Sequence, residues 1–281
     1  MSWKYSEEYY RNYTRETWDE CAEKYIPLAR QLIPYHMALL SLTEPKTGEK
    51  VLDVCTGHGE PAMTIASMIA PNGQVTGIDL SSNMTEMARK TAEKRQLRNI
   101  EFLTMDAEKL ELPDKNFDLA ISCFGFQIIT QPEVAAKEIF RVLKPGGRAG
   151  FTVWSTQDRA QAIDVIVAPM LRYAEPDETG YLPTPYELGG QSEFAELLQK
   201  VGFTELKEIR KVDYFRAPTV DEFLDNFLEG TPIGHSLEEE DEEVQREVKA
   251  EARRNISRYQ TKDGIAIPCE CVIVRGQKTQ N

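Results

Sequence analysis

The sequence Val51-Leu-Asp-Val-Cys-Thr-Gly-His-Gly-Glu-Pro-Ala62 combines a short apolar strand, an acid near its end and two glycines separated by one residue. Gly57 and Gly59 permit backbone angles and a close approach that a side chain would prevent. The chain then enters a helix, whose free N–H groups favour negative charge. This order of strand, turn and helix predicts a nucleotide-binding turn.

Two classes of cofactor are compatible with the spacing of this turn. Gly57, Gly59 and Ala62 also fit the dinucleotide fingerprint, and Asp79 follows at the distance expected of an acid that binds a ribose. Asp53, however, would repel a pyrophosphate by roughly 1 kcal/mol or more at contact distance. S-adenosylmethionine instead presents an ammonium and a sulfonium. Asp53 therefore favours S-adenosylmethionine over NAD.

Five segments carry a resemblance to a known family, and they follow one another in the family's order: Val51-Leu-Asp-Val-Cys-Thr-Gly-His-Gly59, Gln74-Val-Thr-Gly-Ile-Asp-Leu-Ser-Ser-Asn-Met84, Ile100-Glu-Phe-Leu-Thr-Met-Asp-Ala107, Asn116-Phe-Asp-Leu-Ala-Ile-Ser-Cys-Phe-Gly125 and Arg141-Val-Leu-Lys-Pro-Gly-Gly-Arg148. Here the chain resembles the class I S-adenosylmethionine-dependent methyltransferases, and among them the ubiquinone and menaquinone biosynthesis methyltransferases. The likeness covers residues 48–155. Cys55 stands where the family usually has glycine.

Short apolar runs alternate with helical stretches between residues 50 and 154, which is typical of a parallel sheet covered on both faces. With the resemblance, this predicts an α/β, doubly wound, Rossmann-like fold. Its sheet is mostly parallel and seven-stranded, with the last strand antiparallel. We expect the S-adenosylmethionine-binding core to comprise residues 48–216 and 265–281. Pro145-Gly-Gly is expected to break the chain before a strand at 148–154.

Two helical additions flank this core. Residues 1–47 are predicted to form an N-terminal helical lid, because Tyr5, Tyr9 and Tyr13 recur every four residues and give one helix an aromatic face. That helix either closes over the bound molecules or simply packs on the sheet. Residues 217–264 are predicted to be a helical insertion before the last strand, with these apolar residues near one stripe: Leu237, Val244, Val248, Ala252, Ile256 and Tyr259.

The resemblance also implies roles for individual residues. The backbone of the glycine turn would cradle the methionine end of the cofactor while Asp53 faces its ammonium. Asp79 would accept both ribose hydroxyls, and Asp106 with Ala107 would meet the adenine. The full expected cofactor set is Asp53, Cys55, Gly57, Gly59, Asp79, Leu80, Met84, Asp106, Ala107 and Cys123. Residues expected to line the acceptor pocket are Phe124, Phe126, Gln127 and Trp154.

The expected reaction is an in-line displacement that moves the methyl group to a small aromatic, quinone-like or polyketide-like acceptor. We assign no catalytic base. His58 lies inside the cofactor turn, and His36 and His235 lie outside the matched segments. Two other functions remain open: a protein that uses bound S-adenosylmethionine for rearrangement or regulation, and an NAD-dependent oxidoreductase.

Composition limits the partners of the chain. A formal net charge of −13 argues against nucleic acid, which is bound through many lysines and arginines. The five cysteines form no Cys-x-x-Cys pair, so we expect no metal site and reduced thiols in a cytoplasmic protein. No apolar run is long enough to span a membrane, and no targeting signal is evident. Whether the chain forms an oligomer is not indicated by any residue.

Overall fold

An eight-stranded mixed sheet organises the chain, described here from a computed structural model for residues 7–173 and 185–280. Its strands are β1 (Lys50–Val54), β2 (Gln74–Asp79), β3 (Ile100–Thr104), β4 (Phe117–Cys123), β5 (Leu143–Trp154), β6 (Thr204–Ala217), β7 (Gln260–Thr261) and β8 (Gly264–Gln277). Seven strands follow the order β3-β2-β1-β4-β5-β8-β6, and the short β7 pairs with β8. Strands β1 to β5 are parallel, whereas β8 is antiparallel to β5 and β6. This confirms the predicted fold class and its antiparallel last strand.

Helices surround the sheet. Within the described residues they are α1 (Glu7–Cys21), α2 (Ile26–Gln31), α3 (Ile33–Thr43), α4 (Ala62–Ile69), α5 (Ser82–Lys94), α6 (Pro132–Val142), α7 (Gln161–Tyr173), α8 (Glu193–Val201), α9 (Val220–Gly230), α10 (Pro232–Glu238) and α11 (Glu242–Ser257). None of these helices has the combination of length and apolar character needed to cross a bilayer.

Both faces of the sheet are buried, as the apolar character of β1 requires. Val51 belongs to one apolar cluster, which includes side chains of α3, α4 and α7. Leu52 and Val54 belong to a second cluster, which includes side chains of α6 and α8. Because successive side chains of a strand point to opposite faces, helices cover the sheet on both sides.

The Pro145-Gly-Gly segment does not break the chain before the strand, as the sequence predicts, but lies within β5. Strand β5 begins at Leu143, before Pro145, rather than at residue 148. The pairing of β4 with β5 shifts register between Phe117 and Leu119, so the segment is accommodated as an irregularity within the strand. Gly146 has a φ of +77° and donates its N–H to the carbonyl of Lys278 at 3.0 Å. Pairing with the chain just after β8 therefore continues the strand through residues that locally favour a turn.

The two additions to the core pack in different ways. Helix α3 lies against β5 and β8, whereas α1 contacts α5 and α10. The insertion between β6 and β8 contains α9, α10 and α11, and α11 packs on α7. Of the expected stripe, Val248, Ala252 and Ile256 are buried on α11, while Leu237 is buried on the separate helix α10. Tyr5 lies outside the described residues.

Candidate active site

A cavity of about 680 Å³ opens at the carboxyl ends of the parallel strands. Residues that end or directly follow each of the five parallel strands line it, among them Cys55, Asp79, Asp106, Cys123 and Trp154. Side chains from α1, α7, α9 and the α10 region form the opposite wall. Its volume lies within the range of about 300–1,000 Å³ that is usual for small-molecule sites.

The two glycines of the turn after β1 have different surroundings. Gly57 lines the cavity with a φ of +55°, and a Cβ added there would have no atom within 4 Å. Gly59 does not line the cavity. With a φ of +97°, its added Cβ would lie 2.7 Å from Met63 Cε and 3.0 Å from Ala88 Cβ. Gly57 thus leaves backbone open to the cavity, whereas Gly59 lets the turn pack on the helices beneath it.

Cys55 has a left-handed backbone, with a φ of +58°. This conformation favours glycine, which accounts for the glycine usual at this position in the resembled family. The Cys55 side chain fits because Gly125 faces it: a Cβ added to Gly125 would lie 2.5 Å from Cys55 Cβ. Both residues line the cavity. Burial raises the pKa of the Cys55 thiol well above its usual value, so the thiol is neutral.

Asp53 lies beneath the turn and does not line the cavity, being only 1% exposed. Its Oδ2 accepts a hydrogen bond from Thr56 Oγ1 at 2.6 Å, while its Oδ1 has no hydrogen-bond partner among the described residues. Burial raises the pKa of Asp53 to about 7; the Thr56 bond opposes this shift and the charge of Asp79 adds to it. A buried acid with one unfilled acceptor fits a cationic group bound at the turn, such as the ammonium of S-adenosylmethionine.

Asp79 ends β2 and lines the cavity. Its Oδ2 accepts from the Gly57 N–H at 2.8 Å, and its Oδ1 accepts from the Ser81 N–H at 2.9 Å. Burial raises the pKa of Asp79 to about 6, and these two backbone bonds oppose the rise. Since each carboxylate oxygen has two acceptor sites, one on each oxygen remains for a vicinal diol.

Asp106 and Ala107 line the cavity after β3. Asp106 Oδ1 accepts from the Glu108 N–H at 2.8 Å, and its Oδ2 forms an ion pair with Arg11 Nε at 2.9 Å. Arg11 also pairs with the Glu108 carboxylate. Helix α1 is therefore bonded to the loop that the resemblance associates with adenine. Arg11 is not identifiable from the sequence, because nothing in its local pattern connects it with a loop so distant along the chain.

Helix α1 has two further attachments at the cavity. Asp19 Oδ1 accepts from Ser81 Oγ at 2.6 Å and from the Asn83 N–H at 3.0 Å, at the start of α5. Tyr13 shares a hydrogen bond of 2.9 Å with Ser236 of the insertion. Because α1 joins the loops after β2 and β3 to α10, it forms one wall of the cavity and does not simply pack on the sheet.

The remaining expected residues also lie at the cavity. Leu80 and Met84 line it beside Asp79, and Cys123 lines it at the end of β4. Burial raises the pKa of the Cys123 thiol well above its usual value. Of the expected cofactor set, Asp53 and Gly59 are thus the two that do not reach the cavity wall.

All four residues expected at the acceptor line the cavity. Phe124 stacks on Trp154 with ring centroids 3.9 Å apart, and Gln127 Oε1 accepts from the Trp154 N–H at 3.0 Å. Phe126 is almost fully buried against Phe151. Further apolar lining residues could not be predicted, because they come from segments that are far apart in the sequence: Leu28, Leu32, Ile163, Val167, Phe227 and Ile233.

None of the three histidines lines the cavity. Burial lowers the pKa of His36 to about 4 and lowers that of His58 below its usual value. His235 Nδ1 lies 3.0 Å from the carboxylate of Glu20. The described residues that line the cavity therefore include no imidazole.

Proteins similar in sequence to this chain are methyltransferases, in agreement with a cavity suited to S-adenosylmethionine. The family described as the methyltransferase domain matches residues 51–147. A demethylmenaquinone methyltransferase of Listeria welshimeri is 28% identical over 188 residues, which cover 63% of this chain and 79% of that protein. The chain is an S-adenosylmethionine-dependent methyltransferase. This excludes the NAD-dependent oxidoreductase that the glycine spacing left open.

Two further proteins are similar to this methyltransferase, one in sequence and one in structure. It is 39% identical over 110 residues to the ubiquinone/menaquinone biosynthesis C-methyltransferase of Pseudomonas fluorescens, covering 39% of this chain and 43% of that protein. The crystal structure of the cyclase SpnF superposes with a TM-score of 0.56 and 21% identity, covering 88% of this chain and 81% of that one. The likeness to SpnF shows a shared fold.

Proposed function

We propose that this enzyme methylates a ring carbon of a flat, hydroxylated aromatic acceptor of the quinol class. The observation that carries the proposal is the acceptor end of the cavity, where Phe124 and Trp154 stack on one side and apolar side chains of α7 and α9 lie opposite. Aromatic and aliphatic walls favour a flat apolar molecule. The similarity to methyltransferases named for ubiquinone and menaquinone biosynthesis supports the same class.

The donor would be held by the residues that end the first three strands. Asp79 would accept from both ribose hydroxyls, and Asp106 would accept from the adenine amine beside Ala107 and between Leu80 and Met84. The open backbone at Gly57 would receive the methionine end. Asp53, one layer deeper, would supply the negative charge for the ammonium, directly or through a water molecule.

Bound S-adenosylmethionine supplies a methyl group on a sulfonium, which leaves as a neutral thioether and so needs no acid. The chain's own contribution is alignment, which is worth up to about 7–11 kcal/mol in well-oriented systems. The apolar wall would also exclude water, which competes as a nucleophile. A hydroxylated ring is activated by loss of its own acidic proton, in agreement with a cavity that no histidine lines.

The balance of the transfer step is simple. In the proposed transfer, the ring carbon would form a bond to the methyl carbon as the carbon–sulfur bond breaks, and the sulfur would keep the electron pair. The ring proton at that carbon is then lost to solvent, and aromaticity returns. No oxidant or reductant is required.

The test is methyl transfer from S-adenosylmethionine with an isotope-labelled methyl group. The acceptors are naphthohydroquinone, benzohydroquinone and, as a non-aromatic comparison, ethanolamine. We expect a new carbon–methyl bond on a hydroquinone and no product with ethanolamine. Methylation of the amine alone would contradict the proposal.

The same experiment addresses a non-methylating role. The cyclase SpnF shares the fold, so binding of the donor without transfer is a meaningful outcome. Calorimetric binding of S-adenosylhomocysteine combined with no labelled product from any acceptor would favour that role. Asp79→Ala serves as the negative control, because loss of the diol acceptor should abolish both binding and transfer.

A further inference from the structure

Tyr25 lies on the cavity wall, immediately before α2. Its hydroxyl makes no hydrogen bond with any described residue, unlike that of Tyr13, which is bonded to Ser236. Most other polar side chains used at this site already have partners in the protein, as described for Asp79, Asp106 and Gln127. The phenol of Tyr25 is therefore an unused hydrogen-bonding group facing a small-molecule site.

The ring of Tyr25 is held in place from several sides. It makes edge-to-face contacts with Trp18 of α1 and with His58, at centroid distances of 5.2 and 5.9 Å. His58 lies between Gly57 and Gly59 in the turn after β1, which we call the donor turn. Its backbone is packed by Gly230 at the end of α9, where an added Cβ would lie 3.3 Å from Tyr25 Cα. A phenol fixed by three separate elements loses little conformational entropy when it binds a ligand.

The hydroxyl lies where the donor and acceptor regions meet. His58 belongs to the donor turn, and the ionisable groups that interact with the Tyr25 phenol are Cys123, at the end of β4, and Asp79, at the end of β2. Burial, followed by these two groups, raises the pKa of Tyr25 far above its usual value. The phenol therefore stays protonated, so it can donate a hydrogen bond but cannot act as a base.

We propose that the Tyr25 hydroxyl donates a hydrogen bond to the ring oxygen of the acceptor and orients the neighbouring ring carbon toward the methyl group. This rests on the proposed function, and it adds the requirement that the acceptor carry an oxygen next to the methylated carbon. A donor at that oxygen stabilises the ionised, nucleophilic form of the ring. Tyr25 thus supplies orientation and favours ionisation in a site without a histidine.

The test compares the wild type with Tyr25→Phe, using naphthohydroquinone as the acceptor. Loss of a hydrogen bond to a charged oxygen should lower kcat/KM roughly 10- to 100-fold. The affinity for S-adenosylhomocysteine, measured by calorimetry, should stay within about twofold, because Tyr25 is not assigned to the donor. The rising limb of the kcat profile against pH should move up by about one unit, since the acceptor ionises less readily without the bond.

Tyr259→Phe is the matched control. Its hydroxyl bonds to Gln161 Oε1 at 3.1 Å, and it does not line the cavity. This variant should retain wild-type kcat/KM and the wild-type pH profile. Comparing the Tm values of the two variants shows whether either change disturbs folding.

The outcomes separate this inference from the proposed function. Wild-type activity on naphthohydroquinone together with an unchanged kcat/KM and pH profile for Tyr25→Phe would overturn the role of Tyr25 alone. A parallel loss of donor affinity in Tyr25→Phe would likewise overturn it, because the defect would then lie in donor binding. Failure of the wild type to methylate any hydroquinone would overturn both.

Discussion

Asp53 and Thr56 share a hydrogen bond of 2.6 Å beneath the donor turn, and this bond uses only one of the two carboxyl oxygens of Asp53. The other oxygen is buried without a partner among the described residues. A buried, half-satisfied acid is costly in the free protein, because burial without a full set of partners disfavours its charged form. Such a cost is expected at a functional site that a bound cation completes.

The first prediction concerns stability and follows from the raised pKa of Asp53. That pKa is about 7 in the folded chain against an ordinary value of 3.8, so the folded state holds a proton that the unfolded chain releases. Stability contributed by this group therefore falls as pH rises from about 4 to about 7, and the full cost is present above that window. Asp53→Asn should raise the Tm of the donor-free protein at about pH 8 and leave it unchanged near pH 4.

The same substitution should weaken donor binding, since it removes the charge proposed for the ammonium. We expect the Kd for S-adenosylmethionine to rise roughly tenfold or more, by isothermal titration calorimetry. Asp225→Asn, at an exposed position of α9, is the control and should alter neither quantity. An Asp53→Asn variant with wild-type donor affinity would contradict the proposed role of Asp53.

The second prediction separates the two turn glycines. Gly59→Ala should lower Tm markedly, because the new methyl group would collide with Met63 and Ala88. Gly57→Ala meets no atom, so its cost to folding should be limited to backbone strain of about 1 kcal/mol. The methyl group of Gly57→Ala would, however, lie in the cavity beside the proposed donor. We therefore expect Gly57→Ala to weaken donor binding more than Gly59→Ala. Equal effects of the two substitutions on both Tm and Kd would show that the distinction is wrong.

The third prediction concerns the attachment of α1 to the loop after β3. Arg11→Met removes the pairs with Asp106 and Glu108; because the Arg11 side chain is 28% exposed, the loss of stability should be about 1 kcal/mol. Since α1 would then cover the adenine end less firmly, donor Kd should rise by up to about fivefold. In wild type the affinity should also fall with added salt. Arg246→Met, which alters an exposed pair on α11, should leave the donor Kd unchanged.

The fourth prediction concerns the loop at residues 185–190, which carries cavity residues. Arg210 Nη2 donates to the carbonyl of Gly190 at 2.9 Å, and its Nη1 donates to Ser155 Oγ at 2.7 Å. Arg210→Met frees this loop, so the KM for the acceptor should rise several-fold while the donor Kd stays constant. Steady-state kinetics with calorimetry checks both values. A change in donor Kd alone would place the effect of Arg210 elsewhere.

The gathering of strand-end residues at the cavity was largely predictable because its signals are local. A strand, an acid and a glycine turn lie within one short segment, and Asp79 and Asp106 follow later strands of the same repeating pattern. In a parallel sheet all such strand ends meet at one edge, so sequence order alone brings these residues together. The antiparallel last strand and the helical insertion were likewise indicated by pattern and resemblance.

The contacts that distant helices make around the cavity could not be predicted in the same way. Arg11 and Glu108 are 97 residues apart, and the apolar wall collects side chains from helices that no spacing relates. The pattern also could not show that Gly59 packs inward or that Asp53 lies beneath the cavity wall, because both depend on which side chains of other elements lie nearby.

The amino-acid order therefore determined the sheet, the glycine turn and the acids at the strand ends, through short-range geometry and hydrophobic periodicity. Only the tertiary structure determined which of those groups reach the cavity, how α1 and α10 close it, and that the hydroxyl of Tyr25 remains available there. The physical reason is that side-chain access and pairing arise from packing between distant elements, and a local sequence pattern does not encode that packing.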